Sequence, residues 1–114
     1  MRKGKTGIFV IAMLLVLATT AGAAMAQLIV TRDLIFSGTA ANCSASIKDN
    51  GKSIDATMEL WCGNVPLAVW TDSGTSQVIL DGSLTVASGM TYTLKVYGTI
   101  NGNPFEATPL VRSN

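Results

Sequence analysis

The side chains able to do chemistry in this chain of 114 residues are two cysteines, Cys43 and Cys62, and seven carboxylates, with no histidine at all. The missing histidine removes the Ser–His and Cys–His nucleophile pairs. It also removes the commonest general base and the histidine-dependent metal sites. Two cysteines alone cannot complete a four-ligand zinc site. The carboxylates are Asp33, Asp49, Asp55, Glu59, Asp72, Asp81 and Glu106. Asp55 and Glu59 fall on one side of a strand about 13 Å apart, too far for a retaining carboxylate pair. Acids are mostly exposed, so these are read as solvated surface groups. No catalytic residue, metal or cofactor is therefore expected, and the chain is read as not an enzyme.

Two other kinds of residue carry the remaining chemistry. In an exported protein an even pair of cysteines is most simply a disulfide, here Cys43–Cys62. Closing a loop of that length would stabilise the fold by about 3 kcal/mol. The aromatic residues are the binding hint. Trp61 and Tyr97 fall on the outward side of their strands, and Trp70 sits in a third strand where alternation does not fix its facing. Outward aromatics on a sheet can stack on sugar rings or anchor a protein partner. The competing reading is that Trp61 and Trp70 cover the other side of the same small core. Asn42-Cys43-Ser44 matches the glycosylation sequon, which matters only in a eukaryotic host.

The compartment follows from the first 26 residues. Arg2, Lys3 and Lys5 form a basic start, residues 8–17 (IFVIAMLLVL) are a charge-free apolar run, and Ala24-Met25-Ala26 precedes a cut before Gln27. This is the three-part pattern of a cleaved secretory signal. The alternative is a retained anchor. Residues 7–26 lack charge, and roughly 20 apolar residues span a bilayer. Their second half is Ala, Gly and Thr, which makes a weak span. The expected organisation is thus a signal at 1–26 and one secreted domain at 27–114, with membrane contact only if the signal is retained. That domain carries five basic residues against seven acidic ones, a net charge of −2. It has neither the footprint of a nucleic-acid binder nor a basic stripe for anionic lipid.

The elements that must position these residues are strands. Residues 90–100 (MTYTLKVYGTI) alternate strictly, with Met90, Tyr92, Leu94, Val96 and Ile100 on one side. Gly98 interrupts that pattern and marks a bulge or a close contact. Residues 53–62 alternate likewise, with Ile54, Ala56, Met58, Leu60 and Cys62 on one side, and residues 43–48 do so before them. Asn50-Gly51 between these two runs is a strong hairpin signal. Further strands are expected at 28–36, 65–71, 77–86 and 105–111, with breaks at Ser73-Gly74, Ser88-Gly89 and Asn101 to Pro104. A two-residue turn at Asn50-Gly51 conflicts with the disulfide. It places Cys43 opposite Met58 and leaves Cys62 four positions further on, about 13 Å away. A disulfide needs Cα atoms within about 7 Å. A longer loop, a bulge or early strand separation would restore the bond, or the cysteines are not bonded to each other.

Six or seven short strands with frequent turns predict an all-β fold, a small antiparallel β-sandwich or barrel. Residues 84–100 resemble an immunoglobulin or fibronectin type III domain: TYTLKVYG supplies Tyr92, Leu94 and Val96 in the pattern of its penultimate strand, and NGNPF resembles the following hairpin. The resemblance covers about a third of the secreted part and rests on a short motif. It implies an immunoglobulin-like sandwich in which Tyr92 is a corner tyrosine bonded back to the preceding loop. The chain departs from the family in having no cysteine in that strand and in placing Trp61 on the outward side. The layout is also similar to small exported bacterial proteins of unknown function. Together these features predict a non-catalytic binding or structural module outside the cytosol, with a protein or glycan partner. The alternative is a small secreted effector, antimicrobial or inhibitory, although the chain lacks the cationic amphipathic segment of a membrane-active peptide.

Overall fold

A computed structural model describes residues 28–114, so the expected signal at 1–26 lies outside the described residues. The described chain forms six strands and no helix: β1 (Ile29–Ser37), β2 (Ala40–Cys62), β3 (Val65–Thr85), β4 (Thr91–Ile100), β5 (Asn103–Glu106) and β6 (Leu110–Ser113). All pairings are antiparallel and all six strands belong to one sheet. The sheet curls as a half-barrel.

Two strands are far longer than the sequence pattern suggests. Asn50-Gly51 does not turn the chain back. It lies inside the 23-residue strand β2. β2 pairs with β3 up to Lys48↔Gln77 and again from Ser53↔Thr75, so the four residues from Asp49 to Lys52 face Ser76 alone. Extra residues on one strand bend it and raise its twist. Gly51 takes the required positive φ of 79° and its N–H donates to Ser76 Oγ at 2.9 Å. The same backbone freedom that makes Asn-Gly a hairpin signal here serves a bulge. The bend also shifts side-chain parity. Ala41, Cys43, Ala45 and Ile47 are buried before it, and Ile54, Ala56, Met58 and Leu60 after it. One face therefore stays inward along the whole bent strand. Ser73-Gly74, expected as a break, lies within β3 for the same reason.

The bend divides the sheet into two halves. In the first, β2 lies between β1 and the end of β3. In the second it lies between the start of β3 and β4. β4 is bordered in turn by β6 along its first residues and β5 along its last. The halves meet through their inner faces. Phe36 of β1 packs on Tyr92 of β4, with ring centroids 5.5 Å apart. Tyr92 bonds back to the loop before its strand. Its hydroxyl donates to the Ala87 carbonyl at 2.8 Å and accepts from the Ala87 N–H at 2.9 Å. The free edges of β1 and β6 approach without pairing, where Arg112 stands 4.0 Å from Asp33. Gly98 is a close contact: a Cβ there would run into the Asp55 carbonyl on β2.

The expected disulfide is absent, and both cysteines are free. Cys43 faces Leu34 and Gly82 in the first half, whereas Cys62 faces Val65 and Tyr92 in the second. They share the inward side of one strand, but lie toward its opposite ends. The about 3 kcal/mol that a cross-link would have added is missing. Stability rests instead on the continuous apolar face, where each fully buried Leu, Ile or Met contributes about 1.5–3 kcal/mol.

Candidate functional site

The outward face of the second half gathers the unusual side chains. It is built on the β2–β4 pairing, in which Glu59 lies opposite Lys95, Trp61 opposite Thr93 and Thr57 opposite Tyr97. Residues two apart on one strand share a face, and diagonal neighbours across strands lie within reach of long side chains. Glu59 is consequently next to Trp61 on its own strand and diagonal to Tyr97 on the other.

Glu59 is the hub. One carboxylate oxygen, Oε1, accepts from the Trp61 indole N–H at 2.8 Å, and the other, Oε2, accepts from the Tyr97 hydroxyl at 2.6 Å. Hydrogen bonds to an ionised acceptor are the short, strong kind. They fix both aromatic rings on one carboxylate. Lys95 places Nζ 4.1 Å from the centroid of the Trp61 ring. A cation over an indole at this range is attracted by the ring's quadrupole. Partial burial, then the Glu59 hydrogen bond and charge, then the Glu106 charge, push the Tyr97 phenol well above its ordinary range. It stays protonated, and a donor, at any physiological pH.

Four residues further back on β2 a second carboxylate is held the same way. Asp55 accepts from Ser73 Oγ on β3 and from Thr99 Oγ1 on β4. Asp55 and Glu59 do share a strand face, as their spacing predicts, and each is tied to its neighbours. The outward surface beside them carries exposed Val69 on β3 and Val111 on β6.

Of the three candidate binding aromatics, the structure brings Trp61 and Tyr97 together and sets Trp70 apart. Trp70 pairs with Met58 and turns inward, half-buried against the core. Its indole lies so tightly over Gly82, in the first half of the sheet, that no Cβ fits there. Trp70 thus helps join the two halves. Glu59 and Lys95 were missed as partners of the aromatics. Parity places all four outward, but only the β2–β4 register puts them side by side.

One acid departs from the solvated-surface expectation. Asp49, at the bend, is buried on the inward side, and its Oδ1 has no hydrogen-bond partner. Lys52 Nζ stands 3.7 Å from its other oxygen. Burial raises the thiol of Cys43, with help from the nearby Asp81 charge, to about 11, so this cysteine is a protonated core side chain. Among the described residues no three His, Cys, Asp or Glu side chains converge as metal ligands.

Comparison with known proteins places the fold but not the family. No family model matches the chain, and no curated protein matches it by sequence. Among solved structures, the chain is similar to the sensor domain of the anti-sigma factor RsgI4 of Pseudobacteroides cellulosolvens. The TM-score is 0.52 at 14% identity, over 76% of this chain and 88% of that one. At this identity the likeness concerns the fold alone: an all-β architecture shared with a sensor domain.

Proposed function

We propose that this chain is an exported, non-catalytic binding module that engages its partner through the outward face of β2 and β4. The observation carrying this reading is the Glu59 hub, which holds Trp61 and Tyr97 in fixed orientations on an exposed surface. Holding two aromatic rings on the outside of a sheet has no use in packing the core. Pre-oriented Trp and Tyr beside a few charged groups are the composition of interaction hot spots. The similar fold serves as a sensor domain in the anti-sigma factor, which supports recognition rather than catalysis. The signal pattern in residues 1–26 supports a place outside the cytosol, with residues 27–114 as the secreted domain. In this reading the two halves of the curled sheet act as the two layers of an immunoglobulin-like sandwich, with Tyr92 at its corner.

The partner is a protein or a glycan. Lys95 over one face of Trp61 favours a protein, because a capped ring leaves less surface for sugar stacking. The test compares the wild-type chain with Trp61→Ala and Tyr97→Phe on a glycan panel and on isolated cell-envelope proteins, with circular dichroism as the folding control. Loss of binding in folded variants supports the reading. Unchanged binding in both overturns it.

A further inference from the structure

The Trp61–Tyr97 face carries charge that its own strands do not neutralise. Three carboxylates point outward there: Asp55 and Glu59 on β2, and Glu106 on β5, opposite Tyr97. The side chains that bond Asp55 and Glu59 are all uncharged donors: Ser73, Thr99, Trp61 and Tyr97. Such donors fix a carboxylate in place without cancelling its charge. Among the described residues none of the three acids forms an ion pair. The other cations are placed elsewhere. Arg112 stands by Asp33 and Lys52 by Asp49, and Arg32 and Lys48 belong to the first half of the sheet. Lys95 is the one base on the face. It lies opposite Glu59 in the register, yet its ammonium sits over the Trp61 ring rather than in an ion pair. The ring thus already holds one cation, the chain's own. Apolar surface lies toward the other end of the face. Pro66 stands opposite Trp61, exposed Val69 opposite Glu59, and exposed Val111 opposite Thr93, which itself pairs with Trp61. From Thr93 to Tyr97, and so from Val111 to Glu106, is four residues along β4, about 13 Å.

We propose that the partner of this face is a basic polypeptide segment, with an apolar residue seated on the Trp61–Val69–Val111 end and Lys or Arg at Glu106 and Asp55. The proposal rests on the reading of the β2–β4 face as the binding surface and adds the chemistry of what binds. Charge complementarity sets the sign. Three carboxylates against one ammonium leave the face at −2, so nucleic acid, acidic glycans and anionic lipid are repelled. A neutral glycan gains nothing from fixed carboxylates and meets a Trp61 ring already capped by Lys95. An arginine suits the acidic end, because its planar guanidinium can pair with Glu106 and stack on Tyr97 beside it. The apolar contact supplies attraction that salt does not screen, and the charges select the partner and speed the encounter. Because the carboxylates are at the surface, binding weakens as salt is raised.

The test pans a displayed library of random peptides on the wild-type chain as processed by an exporting host, then titrates the enriched peptides by fluorescence anisotropy. The enriched peptides are expected to combine Lys or Arg with an apolar residue, to lack Asp and Glu, and to bind more weakly as salt rises. Glu106→Lys, which loses one exposed ion pair and adds a repulsion of similar size, is expected to weaken them by about tenfold. Lys95→Gln is expected to strengthen them, since it uncaps Trp61 and leaves the face more negative. A merely structural role for the two residues would not move binding in opposite directions. Circular dichroism confirms that both variants fold. Enriched peptides without basic residues, binding independent of salt, a Glu106→Lys variant that binds as the wild type does, or a Lys95→Gln variant that binds no tighter would each overturn the basic partner. Where those peptides still fail on Trp61→Ala, the face stands as the binding surface and only its charge preference falls. Basic peptides that bind Trp61→Ala as well as the wild type would overturn both. No enrichment, or binding confined to the glycan panel, would overturn the polypeptide partner.

Discussion

Tyr92→Phe isolates the tie that closes the two halves of the sheet. The change removes one oxygen and leaves the ring against Phe36. What is lost is the donated bond to the Ala87 carbonyl, 2.8 Å, and the accepted bond from the Ala87 N–H, 2.9 Å. A neutral hydrogen bond contributes about 1 kcal/mol net. Two would give about 2 kcal/mol, but Ala87 is exposed, so its freed backbone groups can turn to water. The expected loss is therefore about 1.5 kcal/mol. In a domain of this size each kcal/mol moves Tm by about 4–8 °C, so the shift is about 6–12 °C downward. Thermal and urea unfolding followed by circular dichroism measure it, with an unchanged urea slope showing that the unfolded state is the same. Tyr92→Leu should cost more, because the ring contact goes as well. A Tyr92→Phe variant within about 0.3 kcal/mol of wild type would refute the reasoning: the corner bonds would then hold nothing that water does not replace.

Gly82→Ala should cost about 1–3 kcal/mol by urea unfolding, because the new methyl displaces the Trp70 indole; an unchanged midpoint would show that Trp70 does not bridge the halves. Intact mass should show no loss of two hydrogens, and alkylation at neutral pH should label Cys62 well before the buried Cys43; a bonded pair would contradict the structure. Stability should fall as pH rises from about 9 to about 11. The folded state holds the Cys43 proton after the unfolded chain has released it, so alkali favours unfolding by up to about 2–3 kcal/mol. Cys43→Ala should remove the fall between about 9 and 10 and leave, above about 10, the part that the raised Tyr97 phenol supplies. Glu59→Gln should lower the pKa of Tyr97 in an ultraviolet titration, since the carboxylate that disfavours tyrosinate is gone, while burial keeps it above the ordinary value.

Alternation carried most of the fold in the sequence. The parity of residues 54–62 and 92–100 gives the buried face correctly, because each strand has one wet side and one dry side. Met90 alone fails, being outside the strand and exposed. Strand continuity was not legible. Asn50-Gly51 and Ser73-Gly74 have the chemistry of turns, and a long bent strand uses that chemistry without reversing direction. The disulfide inference failed for a related reason. It rested on the compartment, and the bend puts Cys43 and Cys62 in different halves of the sheet. For the site, outward parity identified Trp61 and Tyr97, but their union on Glu59 depends on which strands pair, which is long-range information. Asp49 was misjudged because a charged residue beside Asn-Gly looks solvated, whereas it continues the inward alternation of Cys43, Ala45 and Ile47 into the bend.

Photo-crosslinking in the exporting cells tests the central claim most directly. A photoreactive phenylalanine analogue is placed at Val111, exposed on the outward surface beside the Glu59 hub, and for comparison at Ile79, about as exposed but on the other half of the sheet. The expected result is a discrete adduct from position 111, outcompeted by the unlabelled wild-type chain, and none from position 79. Equal adducts from both positions, or an adduct from 79 alone, would contradict the assignment of binding to the β2–β4 face.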